Sequence, residues 1–313
     1  MKVSIIGLGK VGSSLAFILS TRSFIRELVL VGRTRESVMG DVLDLRHGQL
    51  FVEAPTRITA GLAEDTAGSD IIVFCAAAPT PPDMSNRLAM APNNVALMAK
   101  VLPELAWLSP RAKILIASNP VDVLVHFAIE LTGLPERQIL GTGTLLDSAR
   151  FRQLLAEELG IHMEDIRANI LGEHGDSQFP AMSCANAGGE PLDATPERYE
   201  MARQAARAGF DVFSYKGHTN YAIALAAADI VQIIARDTRH TMPVSLKVDG
   251  FLGVDDLCLS LPAVVGQNGI ERVLHPSLNE QEQQAFLHSA DVVRQTIQRV
   301  EASEVYKAAL EVV

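Results

Sequence analysis

Cysteine is scarce in this chain: Cys75, Cys184 and Cys258 are the only three in 313 residues. They are odd in number, scattered and set among apolar neighbours, so neither a disulfide framework nor a metal knuckle is expected. The expected compartment is reducing cytoplasm. Positive charge is also in deficit, with 27 Lys and Arg against 37 Asp and Glu for a net charge of −10. That balance opposes attachment to nucleic-acid backbones and to anionic membrane surfaces. Long apolar runs are missing too, because even the richest segment, Tyr221 to Ala235, is interrupted by Asp229 and Gln232, well short of a membrane span. The opening Val3-Ser4-Ile5-Ile6 is broken by Gly7, Gly9 and Lys10 before it can serve as a signal peptide. Aromatics are few, at 11 Phe, 4 Tyr and 1 Trp, and neither repeats nor a Ser/Gly linker is visible. What remains is ordinary globular composition, long enough to favour two packed sub-domains over one core.

Through the first half, short apolar runs alternate with segments of helical period. Val3–Ile6, Leu28–Val31, Ile71–Cys75 and Ile114–Ala117 read as buried strands. Val11–Leu19, Val38–Leu45, Val95–Leu108 and Val121–Leu131 read as helices, the rhythm of a parallel sheet covered on both faces. The second half predicts strands at Ala168–Leu171, Ala181–Ala185, Val244–Val248 and Leu257–Val265, with long helices over Pro196–Phe213, Tyr221–Arg236 and Asn279–Leu310. The expected class is α/β: a doubly wound parallel (Rossmann) sheet over residues 1–141, then a mixed α+β domain over 142–313. Ala78-Pro79-Thr80-Pro81-Pro82-Asp83 is read as a surface loop.

Gly7-Leu8-Gly9-Lys10-Val11-Gly12 follows a predicted strand and opens a predicted helix, the setting in which GxGxxG binds a dinucleotide. Gly7 would allow the tight turn, Gly9 the approach of a pyrophosphate to the helix N-terminus, and Gly12 close helix–strand packing. At the end of the second strand, where an acid normally meets the ribose 2′-hydroxyl of NAD, stands Gly32, followed by Arg33 and Arg35. A missing carboxylate beside two guanidiniums suits the 2′-phosphate of NADP; the competing reading is two arginines on a solvated helix start. His174 lies in Gly172-Glu173-His174-Gly175-Asp176-Ser177, poorly shielded by its glycines. A structural histidine fits that local pattern equally well. Asp147 and Arg150 fall three apart on one helix face, which an intrahelical ion pair would also explain.

Together with Asp44-Leu45-Arg46-His47-Gly48, Ser118-Asn119-Pro120-Val121-Asp122, Gly141-Thr142-Gly143-Thr144-Leu145-Leu146-Asp147-Ser148-Ala149-Arg150-Phe151 and Gly266-Gln267-Asn268-Gly269-Ile270, these motifs resemble the L-lactate/malate dehydrogenase family over nearly the whole chain. The resemblance implies hydride transfer between a nicotinamide cofactor, NAD or NADP, and a small 2-hydroxy/2-oxo acid. It implies that His174 is the acid–base, that Asp147 orients it, and that Arg150 grips the substrate carboxylate. Arg87 would polarise the reacting carbonyl when a mobile loop closes. Asn119 would contact the reacting oxygen and the cofactor, Thr219 would line the substrate pocket, and Asn94 would lie on the cofactor side with Lys10 and Val11.

Within the family, malate enzymes place an arginine in the loop for a second carboxylate. Here the candidates are Thr80 and Pro81, neither of which can pair with it, so a lactate/pyruvate-type substrate is expected and malate/oxaloacetate is the alternative. Met84 points weakly toward malate. The loss of the acid at Gly32 with Arg35 three residues on resembles the NADP-dependent malate branch, so use of both cofactors with NADP(H) favoured is expected. A catalytically silent NAD(P)-binding sensor would show damage at His174, Asp147, Arg150 or Arg87, and all four are intact. A related metal-dependent glycosidase would need a cysteine–histidine metal site, and no metal is expected here. The apolar helices at Val11–Leu19, Val38–Leu45 and Tyr221–Arg236 imply a homo-oligomer, a dimer or a tetramer lacking an N-terminal arm.

Overall fold

The computed structural model describes residues 1–79 and 87–311. Six short segments build the parallel part of a nine-stranded sheet: β1 (Lys2–Ile6), β2 (Glu27–Val31), β3 (Arg57–Gly61), β4 (Ile71–Phe74), β5 (Lys113–Ile116) and β6 (Ile139–Gly141). All pair in parallel in the order β3-β2-β1-β4-β5-β6. The order reverses between β1 and β4, the switch point beyond whose carboxyl ends a doubly wound (Rossmann) sheet receives its ligand. Val3, Ile5, Leu28, Leu30 and all of β4 are sealed from solvent, which explains why these strands read as unbroken apolar runs.

Helices α1 (Lys10–Ser20), α2 (Met39–Gly48), α3 (Ala91–Leu108) and α4 (Val121–Thr132) connect these strands. On α1 only one stripe, Leu15, Ala16 and Leu19, enters the core while Phe17 stays exposed. Helix α3 starts with a proline in its first turn, where the missing N–H costs nothing. Helix α5 (Leu145–Leu159) follows β6.

Beyond α5 come five two-residue strands, β7 (Ile166–Arg167), β8 (Ile170–Leu171), β9 (Phe179–Pro180), β10 (Asn186–Ala187) and β11 (Glu190–Pro191). Helices α6 (Pro196–Lys216) and α7 (Tyr221–Arg236) precede strands β12 (His240–Lys247), β13 (Cys258–Gly266) and β14 (Gly269–Val273), and α8 (Glu280–Ala302) and α9 (Glu304–Leu310) end the described chain. Strand β12 pairs antiparallel with β6 through Ser245 and Gly141, and β13 and β14 extend the same sheet. One core therefore runs from Val3 to Ala309 across both halves, and a smaller one gathers Phe151, Leu155, Ile166, Met182 and Ala205 beneath α5 and α6.

Three sequence expectations give way in the second half. Ala181–Ala185 is no strand: Met182–Cys184 forms a 3-10 turn, because Glu282 at the start of α8 accepts the Ser183 N–H at 2.9 Å and its hydroxyl as well. The segment expected as one helix over Asn279–Leu310 breaks at Ser303, whose hydroxyl accepts the Tyr306 N–H and starts α9. Ala168–Leu171 contributes only Ile170 and Leu171 to a strand. Among the described residues no helix is long and apolar enough to cross a membrane.

Candidate active site

The turn from β1 into α1 shows what each motif glycine does. Gly7 adopts φ +94°, and a Cβ there would stand 2.6 Å from the Ala76 backbone. A Cβ on Gly12 would lie 2.0 Å from the Gly7 carbonyl oxygen, so helix and strand touch at this point. Gly9 is different: nothing approaches the place of its Cβ within 4 Å, and it heads α1 without a side-chain cap. Uncapped first-turn N–H groups, with Lys10 and Val11 next in line and no acid among them, form an open cradle of the kind that takes a pyrophosphate. The residues present thus fit a dinucleotide.

Asp147 sits in the first turn of α5, only 1% exposed. One carboxylate oxygen lies 2.7 Å from His174 Nδ1, and the other accepts from Arg150 Nη1 at 3.2 Å. A single buried carboxylate therefore orients both side chains, each bond strengthened by charge. His174 rides on the β8–β9 loop. Gly172 enters that loop with φ +90°, where a Cβ would strike the Ser289 hydroxyl at 2.4 Å. Glu173, 3% exposed, accepts the Ser177 N–H at 3.1 Å and its hydroxyl at 2.5 Å, which closes the loop on itself.

His174 and Arg150 share one cleft with Asn119, Thr142, Thr219 and Val11, so side chains separated along the sequence line one space at the switch point. Asn94, buried in α3, spends its carboxamide on main chain: its Oδ1 accepts the Ala78 N–H at 2.7 Å and its Nδ2 donates to the Asn119 carbonyl at 2.6 Å. It holds the β4 exit and the Asn119 strand end together. Arg87 opens a 3-10 turn, Arg87–Met90, that leads into α3. Thr80 and Pro81, expected to set substrate choice, and Met84 lie outside the described residues.

The end of β2 separates the two arginines. Arg35 is committed: it bonds Asp65 at 2.7 Å, Glu64 at 3.0 Å and the Ala60 carbonyl at 3.1 Å, fastening this turn to β3. Arg33 is exposed, with no hydrogen bond or ion pair among the described residues. A Cβ on Gly32 would press on Ser37 Oγ at 2.3 Å and on Val38 at 2.6 Å, so a larger residue here would have to displace both side chains.

Sequence reasoning missed two supports. Asp122, in the first turn of α4, accepts the His174 main-chain N–H at 2.7 Å; an acid at the head of a mostly apolar helix was the available signal. Asn220, at the start of α7, donates to Ser14 of α1 at 2.7 Å and accepts from Lys216, tying the segment that carries Thr219 to α1. Burial pushes the Cys75 thiol up to about 12, far from a nucleophile's range.

The family described as lactate/malate dehydrogenase matches through its NAD-binding domain over residues 1–141 and its alpha/beta C-terminal domain over residues 144–304. An L-lactate dehydrogenase of Synechococcus sp. (strain JA-3-3Ab) is 41% identical over 306 residues, covering 96% of this chain and 99% of its own. One of Bacillus velezensis is 38% identical over 302 residues, with 94% and 95% covered. Among solved structures, a lactate dehydrogenase from a Medee basin deep-sea metagenome library superimposes with a TM-score of 0.90 at 29% identity, covering 96% of this chain and 98% of that one. The minor L-lactate dehydrogenase of Enterococcus mundtii gives 0.90 at 28%, with 96% and 99% covered.

Proposed function

This chain belongs to the lactate/malate dehydrogenase family, and from that premise we propose that it interconverts L-lactate and pyruvate. It is an oxidoreductase that passes a hydride between a nicotinamide cofactor and a small 2-hydroxy/2-oxo acid. The observation that carries the assignment of roles is Asp147, which holds His174 and Arg150 in one cleft. Residues 1–141 hold the dinucleotide and 142–313 supply most of the substrate groups.

When bound, the nicotinamide supplies the hydride acceptor for lactate and the donor for pyruvate. Arg150 presents its planar fork to the substrate carboxylate. With Nδ1 engaged by Asp147, His174 takes the hydroxyl proton through Nε2 during oxidation and returns it during reduction. The Asp147 carboxylate stabilises the imidazolium that forms. Asn119 contacts the reacting oxygen, Thr219 walls the side-chain pocket, and Arg87 polarises the carbonyl as charge develops on it. Neither Thr80 nor Pro81 offers a charge to a second carboxylate, which favours a monocarboxylate over oxaloacetate.

Both cofactors are used, and Arg33 is the group that favours NADP(H), since Arg35 is spent on Asp65 and Glu64. The enzyme is cytoplasmic and a homo-oligomer. The apolar side chains left exposed on α1 (Phe17), α2 (Met39, Leu43) and α7 (Tyr221, Leu225) support association. Initial rates with pyruvate, oxaloacetate and a branched 2-oxo acid, each with NADH and NADPH, test the proposal. Pyruvate should give the highest kcat/KM; a preference for oxaloacetate would overturn the substrate assignment.

A further inference from the structure

Asp122 does no work in the mechanism above, yet its carboxylate lies directly behind the acid–base group. It is 2% exposed, on the first turn of α4, three residues after Asn119. Its Oδ2 accepts the His174 main-chain N–H at 2.7 Å. Its Oδ1 is sealed from solvent without a completed hydrogen bond, and the Ser245 hydroxyl on β12, equally sealed, lends it partial support. The other groups facing it are Glu173 and His174 on the β8–β9 loop and the buried Cys258 thiol on β13. An acid at a helix N-terminus is electrostatically welcome, but burial outweighs this and pushes the carboxyl up to about 6.

We propose that Asp122 is a positioning residue whose negative charge clamps the main chain of His174 while Asp147 clamps its ring. The inference rests on His174 as the acid–base. Two carboxylates on two helices then fix one imidazole from opposite ends, and α4 carries both the clamp and, just before it, Asn119. As pH falls through about 6, the proton enters at the orphan Oδ1, which then donates to Ser245. Oδ2 is left as the acceptor of a neutral carboxyl, and a charge-assisted bond about twice as strong as a neutral one is lost. The loop loosens and proton transfer slows.

The test is oxidation of L-lactate by NAD⁺ followed from acid to neutral pH, in the parent, Asp122→Asn and His174→Asn. Asparagine keeps the shape and an acceptor for the His174 N–H but carries no charge. In the parent, log kcat/KM should show an added step of about tenfold centred near pH 6 as Asp122 gives up its proton; in Asp122→Asn that step should be missing. At neutral pH, Asp122→Asn should lower kcat about tenfold with NADH binding by fluorescence and pyruvate KM unchanged. A parental profile without that step, or Asp122→Asn with parental kcat and the step retained, would overturn the clamp. Retained turnover in His174→Asn would remove the acid–base reading instead, and the clamp with it. Should Asp122→Asn not fold, Ser245→Ala decides: withdrawing that hydroxyl should move the step to higher pH and leave the neutral plateau alone, and an unmoved step would overturn the proposal.

Discussion

Replacing Arg33 with alanine should separate the two cofactors. The guanidinium stands at the end of β2 beside Gly32, exposed and without a partner among the described residues. A charge-assisted contact to a 2′-phosphate contributes roughly 1.5–3 kcal/mol when shielded. Solvent and salt at an exposed site reduce that to about 1 kcal/mol, or roughly fivefold in kcat/KM. Arg33→Ala should therefore lower kcat/KM for NADPH about fivefold and leave NADH unchanged, and the parental advantage of NADPH should shrink as salt rises. Arg35→Ala is the control. That side chain is a strut to Asp65, Glu64 and the Ala60 carbonyl, so its loss should depress both cofactors by a similar factor. Gly32→Asp is a poorer probe, since the new Cβ would stand 2.3 Å from Ser37 Oγ, which already donates to the Thr34 carbonyl at 2.6 Å. Steady-state kinetics at two salt concentrations suffices. A selective loss of NADPH in Arg35→Ala with none in Arg33→Ala would refute the argument.

His174→Asn should keep cofactor affinity and lose turnover by several orders of magnitude, and pyruvate reduction in the parent should decline as pH rises and the imidazolium is lost; near-normal rates in the variant would exclude the role. Arg150→Ala should act chiefly on pyruvate KM and Arg87→Ala chiefly on kcat, because the first contact exists in the ground state and the second strengthens with developing charge; one shared pattern would show the roles to be misassigned. His126, in α4, is held neutral by burial, its value pushed down to about 4 from 6.5. The unfolded chain takes up that proton first, so stability should fall as pH drops from about 6.5 to 4 and level off below, by on the order of 3 kcal/mol. His126→Gln should flatten that part of a urea-denaturation pH series, and an unaltered slope would assign the loss to other groups.

The doubly wound sheet was readable because its signals are local. Apolar runs four or five residues long, each followed by a helical period, mark strands buried on both faces, and Gly7, Gly9 and Gly12 mark the turn between the first strand and helix. Each acts over a few residues, so no knowledge of distant neighbours is required. His174, Asp147 and Arg150 were singled out by the family resemblance of several motifs in order, since within their own short segments a structural histidine and an intrahelical ion pair fitted equally well. β3 was not: Arg57-Ile58-Thr59-Ala60-Gly61 has too little apolar character to stand out, and it is a strand because β2 offers it a parallel edge.

Tertiary structure decided whatever depended on partners far along the chain. Ser183 was drawn out of an expected strand by Glu282, 99 residues away. Arg35 looked free to meet a phosphate until Glu64, 29 residues on, and Asp65 were seen to hold it. The strands after residue 240 extend the first sheet, a matter of which edge β6 leaves open to β12. Asp122 and His174 meet across 52 residues, and only that meeting turns an acid noticed merely as the end of a motif into a buried carboxyl behind the β8–β9 loop. The sequence by itself determined which side chains could do the chemistry, because residue type and short spacing are written in it. Which of them are engaged, buried or left for a ligand was decided by the fold, because desolvation and charge pairing depend on neighbours that only the folded chain brings together.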